Sequence, residues 1–115
     1  MAVRAVGRHI RLAPRKTRLV IDMIRGKSVK EALALLKFTN RAAAPIVAKV
    51  INSAVANAEH NHDMHTDKLY VKTACVDAGP ILQGRPYRKY IYCARGRASV
   101  VRQRTSHITI EVVEK

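Results

Sequence analysis

The residues best suited to chemistry lie in one stretch, GRPYRKYIYCARGRASVVRQR (residues 84–104), which carries seven cations, three tyrosines and no acid. Lys and Arg at this density neutralise phosphates, and tyrosine rings interleaved with them stack on unpaired bases. The cations are Arg85, Arg88, Lys89, Arg95, Arg97, Arg102 and Arg104; the aromatics are Tyr87, Tyr90 and Tyr92. The plainer reading of Tyr90 and Tyr92 is that they pack across a hairpin as β-formers. A second group, Arg15, Lys16 and Arg18, crowds the first turns of an expected helix, with Arg8 and Arg11 before it and Arg25 and Lys27 after it. The positive end of a helix dipole disfavours cations, and docked phosphates reverse the sign of that effect. A solvated basic face is the bland alternative.

Other constellations carry less. His60, His62 and His65 with Asp63 contain no cysteine and read as a polar surface turn rather than a zinc site. Ser106 and His107 are adjacent, so on a strand they face opposite ways, and no acidic pair completes a catalytic set. Neither an enzyme nor a bound cofactor or metal is expected.

The totals agree with a polyanion partner. Lys and Arg number 22 against 8 Asp and Glu, a net charge of +14. Residues 1–30 hold nine cations and one acid, residues 81–105 seven and none, and residues 31–80 five of each. Two basic blocks thus bracket a nearly neutral middle, as in a folded body with charged surfaces. A chain of 115 residues is one domain, able to bury about two-thirds of its unfolded surface. Cys75 and Cys93 are far apart and form no C-x-x-C pair, which suits a reducing cytoplasm. No apolar run approaches the roughly 18 residues of a membrane span.

The elements that must position these residues follow from spacing. Residues 2–12 read as an edge strand ended by Pro14, which opens a helix whose apolar positions are Leu19, Val20, Met23 and Ile24, with Gly26 as its stop. Ser28 and Glu31 form a capping box for a second helix, with Val29, Ala32, Leu33 and Leu36 on one face, ending near Phe38. A third helix begins at Asn40 or Ala44-Pro45 and turns Val47, Val50, Ile51, Ala54, Val55 and Ala58 inward, while Ala54, Ala56 and Ala58 allow close approach of a neighbour. After a turn at residues 60–66, Leu69, Val71, Thr73 and Cys75 alternate as one side of a strand, matched by Ile108, Ile110 and Val112. Pairing Val71 near Ile110 sets the hairpin turn near residue 90. An isolated two-stranded ribbon is marginal in water, so this arm is expected to be mobile alone and ordered by its partner.

Four blocks, APRKTRLVIDMIRGKSVKEAL (13–33), INSAVANAEHNHDM (51–64), DKLYVKTACVDAGP (67–80) and GRASVVRQRTSHITI (96–110), resemble the bacterial-type large-subunit ribosomal protein L22 family. The resemblance implies an α+β fold of three helices packed on a small antiparallel sheet with a long extended β-hairpin. It implies one domain over residues 1–115, of which 79–105 form the protruding arm. It further implies a structural constituent of the large subunit that binds large-subunit ribosomal RNA, supports assembly and lines the nascent-peptide exit tunnel with its hairpin, near where macrolides bind. The partners so implied are that RNA, neighbouring ribosomal proteins and the nascent peptide, with the protein a cytoplasmic monomer within the ribosome and no membrane involved. RNA contact is carried onto Arg15, Lys16, Arg18, Arg25 and Lys27 of the first block and Arg97, Arg102 and Arg104 of the last. The tip, ILQGRPYRKYIYCAR, departs by being longer and richer in tyrosine than the family pattern. A free cytosolic RNA- or DNA-binding protein is the alternative reading.

Overall fold

The computed structural model describes residues 1–84 and 89–115; the expectations for Arg85, Tyr87 and Arg88 lie outside the described residues. Strand β1 (Ala2–Ile10) leads into helices α1 (Pro14–Ile24), α2 (Val29–Phe38) and α3 (Ala43–His62). Strand β2 (Leu69–Ala78), the short strands β3 (Lys89–Tyr92) and β4 (Ala98–Val101), and β5 (Ser106–Glu114) follow. β1, β5 and β2 form an antiparallel sheet in that order, with β1 at an edge as expected, and β3 and β4 pair as a separate ribbon. This is the expected α+β architecture.

The helices cover one face of the sheet, and the core between them is aliphatic: Ile21, Ile24, Val47, Ile51, Leu69, Val71, Ile108, Ile110 and Val112 are each almost wholly buried. The capping box forms as read, the Glu31 amide donating to Ser28 Oγ at 3.3 Å and the Ser28 amide to Glu31 Oε2 at 3.4 Å. Pro14 opens α1, and Thr17, fully buried, sends its hydroxyl back to the Ala13 carbonyl at 3.0 Å.

Five expectations need correction. On α1 the buried stripe is Thr17, Val20, Ile21 and Ile24, while Leu19 and Met23 face outward. Hydrophobicity alone chose the wrong pair, since a polar Thr can be buried once its hydroxyl has a carbonyl partner. On α3, Ala56 is exposed and the close approach is made at Ala54 and Ala58. That helix continues to His62 and stops at Asp63 with φ +50°, so His60 and His62 belong to its last turn rather than to a loop. On β2 a register shift between Val71 and Thr73 changes the phase of alternation: Leu69 and Val71 point inward, then Ala74 and Val76, leaving Thr73 and Cys75 outside.

The same bulge contributes to the fifth difference. Val71 lies opposite Val112, with Ala74 opposite Ile110. Farther out the two limbs of the arm are unequal: Leu82 bridges Gln103 and Lys89 pairs with Val101, seven residue steps on one limb against two on the other. The reversal therefore sits at residues 93–97, where the Cys93 amide donates to the Arg97 carbonyl at 2.8 Å, and not near residue 90. The molecule measures 62 × 26 × 18 Å with a radius of gyration of 17.3 Å. A compact chain of this length would have about 13 Å; the excess is the arm.

Candidate nucleic-acid interface

The first basic group lies along β1 and α1. Arg8, Arg11, Arg15, Lys16, Arg18, Arg25 and Lys27 are all exposed, but they are not equivalent. Arg18 donates from Nε and Nη2 to the Val76 carbonyl at 3.2 and 3.1 Å. Arg25, two helical turns on and thus on the same side of α1, donates from Nε and Nη2 to the Ala74 carbonyl at 3.2 and 2.7 Å, and from Nη1 to Asp22 at 3.0 Å. β2 is an edge strand, whose outward carbonyls need donors. Two guanidiniums supply them, and the backbone of the α1–α2 connection supplies more: Gly26 donates to the Val71 carbonyl at 3.0 Å, and Val71 to that of Lys27 at 2.8 Å. Gly26 reaches this position with φ +79°, which favours glycine.

Arg15 and Lys16 stand at the start of α1, whose N-cap, Ala13, offers no side-chain acceptor to the first-turn amides. The start of α3 at Ala42 is likewise without a side-chain cap. Both helix starts border a recess of about 170 Å³ lined by Leu12, Ala13, Lys16, Thr17, Arg41, Ala42 and Ala43. Arg41 was not singled out from the sequence because it lies in the neutral middle segment. Its position just before a helix start that lacks a capping side chain was the available signal. Elsewhere on the body Lys30 meets Asp67 at 2.8 Å, and that hydrogen bond and charge hold the Asp67 carboxyl below its ordinary range.

The arm is built from its base outward. The Gly79 amide donates to the Thr105 carbonyl at 2.9 Å, and the buried Thr105 hydroxyl donates to the Pro80 carbonyl. A Cβ on Gly79 would fall against Thr105 Oγ1 and, at 3.2 Å, against His107 Cε1, so only glycine fits this clamp. Beyond it Leu82 donates to Gln103 at 2.9 Å. On the ribbon, Lys89 lies opposite Val101, Tyr90 opposite Val100, Ile91 opposite Ser99 and Tyr92 opposite Ala98. Every residue from 89 to 100 is exposed. Tyr92 is 98% exposed and Tyr90 57%, so packing across the hairpin does not account for Tyr92. Arg95 occupies the turn with φ +60°, Arg97 follows it, and Arg102 and Arg104 project from the returning limb, both exposed. Cys93 Sγ and Ser99 Oγ lie 2.9 Å apart across the tip.

The remaining candidates disperse. Among the described residues no group of three or more His, Cys, Asp or Glu is placed to hold a metal ion. Ser106 is buried, whereas His107 Nδ1 accepts the His9 amide at 3.1 Å in a bulge of β1, with the two rings edge to face at 5.0 Å. No described helix is long and apolar enough to cross a membrane.

A basic α+β body carrying a cationic two-stranded ribbon, exposed from residue 89 to 100, defines a class: a compact body with a protruding, positively charged arm. Comparison with known proteins is specific. The family described as ribosomal protein L22p/L17e matches residues 5–113. The large ribosomal subunit protein uL22 of Macrococcus caseolyticus (strain JCSC5402) is 54% identical over 115 residues, covering 100% of this chain and 89% of that protein. The protein of the same name from Staphylococcus aureus (strain JH9) is 54% identical over 112 residues, covering 97% and 92%. The chain belongs to the ribosomal protein L22p/L17e family in its bacterial form, a family of structural rather than catalytic proteins.

Proposed function

We propose that this protein is a structural constituent of the large ribosomal subunit in the cytoplasm, where it binds large-subunit ribosomal RNA and supports assembly. The body is the docking platform, and residues 79–105 form the arm that reaches inward and lines the nascent-peptide exit tunnel. The observation that carries this reading is the arm itself: residues 89–100 are exposed on both faces, and residues 81–105 contain no acid. A ribbon without a core of its own, repelling itself electrostatically, acquires a lasting shape from counter-charge and contacts supplied by a partner.

RNA contact falls on Arg8, Arg11, Arg15, Lys16 and Lys27 of the body and on Lys89, Arg95, Arg97, Arg102 and Arg104 of the arm, with Arg85 and Arg88 included from the sequence. Arg18 and Arg25 add positive potential while fastened to β2. Phosphate contacts supply most of the affinity and little sequence readout. Cations on both body and arm let RNA segments from different regions approach one another, with the arm filling the gap between them. In the subunit the protein is a monomer beside neighbouring ribosomal proteins, its tip within reach of the nascent peptide. Co-sedimentation with large subunits through a high-salt wash tests this: the protein is expected to stay with the particle, whereas a free cytosolic RNA- or DNA-binding protein is stripped.

A further inference from the structure

The ribbon has two chemically different faces, because side chains alternate along a strand and opposite partners share a side. Tyr90 and Tyr92 lie on one face, backed by Val100 and Ala98; Lys89 and Ile91 lie on the other with Val101 and Ser99. Two residues apart on a strand, the tyrosines rise from the ribbon about 6.8 Å apart. Successive stacked bases are about 3.4 Å apart. The tyrosine spacing is therefore that of two rings with one base between them.

We propose that Tyr90 and Tyr92 form a slot that takes one unpaired RNA base, deepening the RNA-binding role proposed above and resting on it. The cross-strand partners fit such a slot: the small Ala98 leaves the Tyr92 ring uncovered, at 98% exposure, while the larger Val100 buttresses Tyr90, at 57%. Charge selects the occupant. Arg95 lies in the turn that follows Tyr92 and Arg97 just after it, Lys89 adds its charge from the opposite face, and no acid occurs between Asp77 and Glu111. The phosphates flanking an inserted base thus enter a region of positive potential without an acid, strongest on the turn side, whereas a neutral peptide chain would gain nothing from it. Bases stack on rings largely irrespective of sequence, so the slot selects an unpaired nucleotide rather than a particular base.

The test uses the full-length protein and two RNA probes: an oligoadenylate of about twelve nucleotides and a duplex of equal length. Tyr90→Leu and Tyr92→Leu are expected to lose about fivefold or more in affinity for oligoadenylate, with duplex affinity unchanged. Tyr90→Phe and Tyr92→Phe, which keep the ring, are expected to bind as the parent does. Both positions are exposed, so thermal unfolding of all four variants should match the parent. Unchanged oligoadenylate binding in the Leu variants, or equal loss on both probes, overturns the slot while leaving ribosomal RNA binding intact. Failure of the parent to bind either RNA removes the underlying reading as well. Tyrosine-dependent binding of an uncharged peptide in preference to oligoadenylate would also overturn the slot and assign the face to the nascent chain.

Discussion

At the scale of single residues, what separates one arginine from another is where its guanidinium is already engaged. Arg18 and Arg25 each place two N–H groups on one carbonyl of β2, whereas Arg102 and Arg104 project from the arm. Arg18→Gln is expected to lower stability by about 1 kcal/mol, because a charged donor to an edge carbonyl is lost in a partly hydrated setting. In a domain this small that is a fall of about 4 °C in Tm. The variant should change the salt dependence of RNA binding little. Neutralising Arg102 and Arg104 together should do the reverse: unchanged Tm, and a log–log salt slope shallower by about one to two units, since each lost phosphate contact removes about 0.9. Thermal unfolding and salt titration of both variants measure the contrast; a steep loss of slope in Arg18→Gln would put that guanidinium on RNA instead.

At the scale of elements, the arm is positioned by a clamp at its root rather than by packing along its length. Gly79 is expected to be irreplaceable there: Gly79→Ala drives a methyl against Thr105 and His107 and should cost about 1–3 kcal/mol in unfolding free energy. Wild-type stability in that variant would mean that the clamp does not hold the root. This clamp was not legible in the sequence, because Gly79 and Thr105 are distant along the chain and neither follows a periodic pattern. By contrast α2 was legible almost to the residue, since a capping box and an i, i+3, i+4, i+7 stripe are local signals. β2 was half legible: its alternation placed Leu69 and Val71 correctly and failed at the bulge, where the phase depends on pairing with β5. The basic composition identified which residues could meet RNA. It could not divide them, since Arg18 and Arg25 find their acceptors only once α1 is packed beside β2.

At the scale of the whole molecule, burial and charge are segregated. The aliphatic core belongs to the sheet and helices, while the outer arm, from 89 to 100, buries none of its residues and adds cations without acids. The body is therefore stable by its own contacts, and the proposed function has the ribbon held by the RNA around it. Amide hydrogen exchange, compared between the isolated protein and the protein within large ribosomal subunits, tests this division most directly. Amides of α3 should be protected in both states, whereas those of β3 and β4 should exchange rapidly in the isolated chain and slow markedly in the subunit. Strong protection of β3 and β4 in the isolated protein, or equally fast exchange in the subunit, would contradict the claim that RNA gives the arm its shape.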